Sequence, residues 1–120
     1  MTTTRRLLIV DDKDEILNLL RIYFTKLGWE VVSASSGAAA LKAFEADRIH
    51  VLLADVDLGE EIDGIEVAKR LLDQHPHLKV VMMSGKPENE SKVREARIGA
   101  FVVKPFDLPN LSNILNAELA

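Results

Sequence analysis

The sequence predicts an α/β domain in which a parallel sheet of five strands is doubly wound between five helices. Two observations carry the prediction. Five short apolar runs recur along the 120 residues, and they are continuous rather than alternating, as in strands covered by helices on both faces. Between them the apolar residues fall at helical spacing, so strand and helix alternate, which favours right-handed crossovers and a parallel sheet. At 120 residues and 48% hydrophobic the chain is enough for one core. We therefore expect a single domain over 1–120, with no room for a second catalytic or DNA-binding domain.

The first run is Leu7 to Val10, closed by Asp11-Asp12. Ile16, Leu19, Leu20, Tyr23, Phe24 and Leu27 then mark a helix that Gly28 stops, with Asp12 and Glu15 as a possible cap at its start. Val31-Val32 is the second run, and Ala38, Leu41 and Phe44 mark a helix after Ser35-Ser36-Gly37. The third run, Val51 to Ala54, ends in Asp55; the helix after it carries Ile65, Ala68, Leu71, Leu72 and His75 before Pro76, with Asp63 and Glu66 spaced as a capping box. Val80 to Met83, ending in Ser84, is the fourth run. The helix over 88–98 offers little beyond Val93 and Ala96 and should be the least firmly packed. Phe101 to Val103 precedes Lys104-Pro105, and the last helix starts near Asp107 to bury Leu108, Leu111, Ile114 and Leu115. Trp29 and Tyr23 read as core or partly buried, and Met82 and Met83 as space-filling strand residues.

Several function classes are excluded by composition. With no cysteine there is no disulfide, thiolate zinc site or cysteine nucleophile. The 15 basic residues are scattered among 19 acidic ones, so direct contact with nucleic acid is not expected. No apolar run reaches a membrane span, and the first six residues are too short and polar for a signal peptide; a cytoplasmic protein without a membrane contact is the expectation. His75-Pro76-His77 reads as a surface turn, and with His50 it suggests no metal site. The acids, however, are clustered. Asp11, Asp12, Asp14, Glu15, Asp55, Asp57, Glu60, Glu61 and Asp63 occupy two short segments.

A doubly wound sheet binds ligands beyond the carboxyl ends of its strands. Asp11-Asp12, Asp55, Ser84 and Lys104 all stand there. Carboxylates gathered at one crevice mouth repel one another unless Lys104 or a hard divalent cation neutralises them. Magnesium suits oxygen donors and leaves positions open for phosphate oxygens. Beside it an Asp carboxylate is competent as a nucleophile on phosphorus.

This constellation, in this order, resembles the receiver domain of two-component response regulators over essentially the whole chain. The residues that carry the resemblance are Ile9-Val10-Asp11-Asp12, Leu53-Ala54-Asp55-Val56-Asp57-Leu58, Ser84 before Gly85, and Lys104-Pro105-Phe106. It implies a flavodoxin-like fold with strand order 2-1-3-4-5. It implies that Asp11 and Asp12 hold Mg2+ together with Asp55 and the main-chain carbonyl of Asp57. Asp55 would become the aspartyl phosphate, with Lys104 paired to the phosphoryl group and Ser84 donating to it. Ser84 and Phe101 would be the switch residues, Phe101 moving by packing alone because it lacks a hydroxyl, and the Lys104-Pro105 bond would be cis. The implied partners are a sensor histidine kinase or phosphotransfer protein, and downstream either another protein or an output domain on a longer chain. A phosphorylation-dependent homodimer is also admitted. Only self-catalysed phosphoryl transfer and autodephosphorylation are expected, with no enzymatic turnover of another substrate.

Two departures stand out. Gly59 occupies a position where the family usually has proline, leaving the path of loop 58–63 open. Asp57 is a second carboxylate two residues from Asp55; Asp55 ranks ahead as acceptor because it directly ends the apolar run, and the Asp57 side chain is expected to tune the lifetime of the phosphate. The Asp55-Val56-Asp57 triplet also resembles the nucleophile and acid/base pair of haloacid-dehalogenase-type phosphatases, but those carry it on an early strand and usually need more chain for a cap and substrate pocket. A third reading is an unphosphorylated interaction module that only retains the fold.

Overall fold

Alternating runs and helical repeats become alternating strands and helices in the computed structural model, which describes residues 5–46, 48–59 and 62–119. The strands are β1 (Arg6–Val10), β2 (Glu30–Ala34), β3 (Val51–Asp55), β4 (Lys79–Ser84) and β5 (Ala100–Val103). The helices are α1 (Asp14–Lys26), α2 (Gly37–Ala46), α3 (Gly64–Gln74), α4 (Asn89–Ala96) and α5 (Leu108–Leu119). All strand pairings are parallel and the order is β2-β1-β3-β4-β5, as the resemblance implied. Among the described residues no helix is long and apolar enough to cross a membrane.

The continuous apolar runs are explained by two cores, one on each face. Leu7, Ile9, Val51, Leu53, Val81 and Met83 pack on Leu17, Leu20 and Phe24 of α1 and on Leu111 and Leu115 of α5. Leu8, Val10, Leu52, Ala54, Val80 and Met82 pack on Ala40 and Phe44 of α2, Val67, Ala68 and Leu71 of α3, and Val93 of α4. Successive strand residues point to opposite faces, so a central strand must be apolar at every position to fill both cores. Burying each such large side chain contributes roughly 1.5–3 kcal/mol. Trp29 is buried beside Phe24, and Tyr23 is half-buried.

Some expectations need correction. β2 and β5 are edge strands and are only partly buried, with Ser33 and Val103 exposed, because each has a neighbouring strand on one side only. On α1 the buried stripe is Leu17, Leu20 and Phe24, whereas Leu19 and Leu27 face outward. The helix starts earlier than the apolar pattern, after Lys13, and no side chain caps it, so Asp12 and Glu15 do not form the expected cap. Asp11 instead accepts from the Lys13 N–H. At α3, half of the capping box forms: Asp63 Oδ1 accepts from the Glu66 N–H, but Glu66 turns away to Arg70. α4 is shorter than expected, ending in a left-handed Arg97. Ser36 and Asp107 accept from backbone N–H groups at the starts of α2 and α5.

Candidate functional site

β1 feeds α1 on one face of the sheet while the adjacent β3 feeds α3 on the other. The two loops therefore part between the strand ends, which is where doubly wound sheets hold ligands. Asp11 follows β1, Asp55 closes β3, Ser84 closes β4 and Lys104 follows β5. The ladder continues into these loops, since Asp11 N–H donates to Ala34 O, Val56 N–H to Met83 O and Lys104 N–H to Ser84 O. That fixes the first residue after β1, β3 and β5. The Lys104-Pro105 bond is cis.

Asp11 is wholly buried and Asp55 is 5% exposed. Each uses its two oxygens alike. Oδ1 of Asp11 accepts from Lys13 N–H at 2.9 Å and Oδ2 from the Lys104 ammonium at 2.7 Å. Oδ1 of Asp55 accepts from Asp57 N–H at 2.9 Å and Oδ2 from Lys104 at 2.8 Å. Burial pushes the Asp55 carboxyl above its ordinary 3.8, outweighing Lys104 and the Asp57 N–H, which favour the charged form. For Lys104, burial alone would lower the ammonium, but its hydrogen bonds to Asp11 and Asp55 and their charges together hold it above 10.5. Lys104 is thus a fixed cation between two carboxylates.

Asp12, exposed, completes a trio with Asp11 and Asp55 whose ligand oxygens all lie within 4.8 Å of one another. One ammonium against three carboxylates leaves the cluster negative. Hard oxygen donors, excess negative charge and one solvent-facing carboxylate fit a magnesium-like cation. Gly59 helps to shape this mouth. Its φ is +67°, which proline cannot adopt, so a proline there would require another loop path; a Cβ on it would also stand 3.2 Å from Asp12 Oδ2. At Gly64 the start of α3 comes so close to Asp55 that a Cβ would fall on the Asp55 carbonyl. Glu60 and Glu61 lie outside the described residues.

A second polar group adjoins the first. Ser84 Oγ donates to Asp57 Oδ2 at 3.1 Å and accepts from Lys86 N–H at 3.0 Å and Asn89 Nδ2 at 2.9 Å. Asn89 also donates to Asp57 Oδ2 at 3.1 Å. The Asp57 side chain is thereby tied to β4 and α4, apart from the acidic trio. Phe101 is half-buried on β5 opposite Met82, packed against the core of the α2, α3 and α4 face. Asn89 escaped the sequence reading although a signal was present: it lies four residues before Val93, on the same face of α4, and is 2% exposed.

The family model for the response regulator receiver domain matches residues 7–116. The regulatory protein AtoC of Escherichia coli is 36% identical over 121 residues, covering 99% of this chain and 26% of that protein; the chain therefore spans about a quarter of that relative's length. Among solved structures, a CheY-like response regulator receiver domain protein from Methanospirillum hungatei superposes with TM-score 0.90 at 26% identity, covering 98% of this chain and 94% of that one. The response regulator protein TrrA from Thermotoga maritima, solved in complex with Mg2+ and BeF, gives TM-score 0.88 at 25% identity, covering 96% and 99%.

Proposed function

The chain belongs to the response regulator receiver domain family, and from that premise we propose that it is a two-component switch that accepts one phosphoryl group on Asp55. The observation that carries the reading is Asp55 itself, closing β3 with the Lys104 ammonium at 2.8 Å and two further carboxylates within ligand reach. A carboxylate oxygen of Asp55 attacks phosphorus as the bond to the donor breaks, the donor being a phosphohistidine of a sensor kinase or phosphotransfer protein, or a small acyl phosphate. Lys104 stands ready to pair with the transferred charge. Asp11, Asp12, Asp55 and the main-chain carbonyl of Asp57 would hold Mg2+, which when bound supplies neutralisation of the phosphoryl oxygens. The Mg2+ and BeF bound by the Thermotoga relative support that donor set.

Ser84 and Phe101 are the switch residues in this reading, and the added charge of about two units reorganises the loops around them. A groove of about 370 Å3 beside Lys104, lined by Lys13, Ile16, Leu19, Leu20, Pro105 and Phe106, suits a partner that delivers the phosphoryl group. The reading places the domain in the cytoplasm, with a protein or a covalently attached output domain as its target, a phosphorylation-dependent homodimer as a further arrangement, and no substrate turned over beyond its own phosphate.

The test is intact mass after incubation with acetyl phosphate and magnesium. Wild type and Asp57→Asn are expected to gain one phosphoryl group and Asp55→Asn none. Labelling that survives Asp55→Asn but vanishes with Asp57→Asn would move the site to Asp57, and no labelling of wild type would leave an interaction module.

A further inference from the structure

We propose that Asp57, Ser84 and Asn89 form a resting latch between the phosphorylation site and α4, with Asn89 as the positioning residue that carries the state of Ser84 to the helix. The proposal rests on Asp55 being the phosphoacceptor. A serine hydroxyl has one proton to donate and two lone pairs. At Ser84 all three are used: the proton on Asp57 Oδ2, the lone pairs by the Lys86 N–H and the Asn89 amide. Ser84 therefore cannot donate to a phosphoryl oxygen on Asp55 without leaving Asp57.

The consequence of leaving falls unequally on the partners. The Asp57 side chain is 47% exposed, with Lys86 Nζ at 4.0 Å, so water readily replaces what it loses. Asn89 is 2% exposed, and its amide nitrogen donates to both Asp57 Oδ2 and Ser84 Oγ. When Ser84 turns away, this buried amide is left with Asp57 Oδ2 alone and regains a second acceptor only if the first turn of α4 moves. Little resists that movement: α4 has eight residues, its start has no side-chain cap, and among its side chains only Asn89 and Val93 are fully buried. Helix 89–96 is thus poised on a hydrogen-bond ring whose one movable proton belongs to Ser84.

Amide hydrogen exchange across α4, read beside intact mass, tests this. Before phosphorylation, Asn89→Ala should exchange about five-fold faster in α4 than wild type, the effect of losing about one hydrogen bond. Asp57→Ala, a change at a half-exposed side chain that guards against misfolding of the first variant, should exchange faster too. Phosphorylated wild type should approach the rate of unphosphorylated Asn89→Ala, and phosphorylation should add little in that variant. Equal α4 exchange in wild type and both variants overturns the latch. So does a phosphorylation increment in Asn89→Ala as large as in wild type, because Asn89 would then only stabilise the helix. A wild type that takes no phosphoryl group sinks the phosphoacceptor reading and with it the coupling, whereas label without any α4 response sinks the latch alone.

Discussion

Replacing Lys104 by Met removes the ammonium that touches both Asp11 and Asp55 while keeping the length and apolar stem of the side chain. The variant leaves two buried carboxylates, each with a backbone N–H on one oxygen and, among the described residues, no partner on the other. A hydrogen bond to a charged group contributes about 1.5–3 kcal/mol, and breaking a buried ion pair from one side costs about 3–5 kcal/mol. Asp55 can relieve part of this by binding a proton, since burial already pushes its carboxyl upward, so the lower end applies. We expect a loss of about 3 kcal/mol in metal-free buffer at pH 7, or a Tm lower by about 10–15 °C for a domain of this size. The pH dependence has a definite sign. In wild type, the raised pKa of Lys104 contributes stability below 10.5 that is lost as pH rises through the still higher folded value. In the variant the Asp55 carboxyl, already raised by burial, rises further without Lys104, so native protein gains a proton and stability as pH falls toward 3.8, the ordinary value for Asp. Urea unfolding should therefore show the deficit narrowing between pH 7 and about pH 4.5, and also on adding Mg2+. A variant within about 0.5 kcal/mol of wild type at pH 7, or a deficit indifferent to acid, would refute the reasoning.

Magnesium should itself stabilise wild type by about 2.7 kcal/mol at a hundredfold excess over Kd, and less in Asp12→Asn, which lacks one carboxylate of the trio; thermal melts with and without the ion check this, and equal gains would remove Asp12 from the site. Asp57→Asn should lengthen the life of the aspartyl phosphate several-fold by removing a carboxylate able to orient water near it. Timing the loss of label by mass decides it, and an unchanged lifetime removes the idea. Gly64→Ala should cost about 2–4 kcal/mol, because the new Cβ would fall on the Asp55 carbonyl and push α3 from the sheet; a variant as stable as wild type would mean that α3 shifts freely.

Much of the site was legible because it stands at fixed chain positions. Asp11, Asp55, Ser84 and Lys104 all directly follow or close apolar runs, and in a parallel sheet those positions meet at one edge whatever the loops do. The boundaries of α1 and the half-buried edge strands were less legible. Leu19 and Leu27 obey the helical period as well as Leu20 does, and periodicity does not say how wide the covered stripe is. The partners of the polar groups were not legible at all. Asp12 and Glu15 have the spacing of a cap, yet α1 starts without one, since a local pattern competes with the backbone path that β1 imposes.

The sequence by itself determined that strand and helix alternate, that the sheet is covered on both faces, and that acids, a hydroxyl and an ammonium share one edge, because these follow from periodicity and from the side to which parallel strands point. Only the tertiary structure decided how those groups divide. Lys104 goes to Asp11 and Asp55, while Asp57, two residues from Asp55, goes to Ser84 and Asn89. Hydrogen-bond choice depends on distances of a few tenths of an ångström between residues 27 to 93 positions apart, and those are set by how the strands and helices pack.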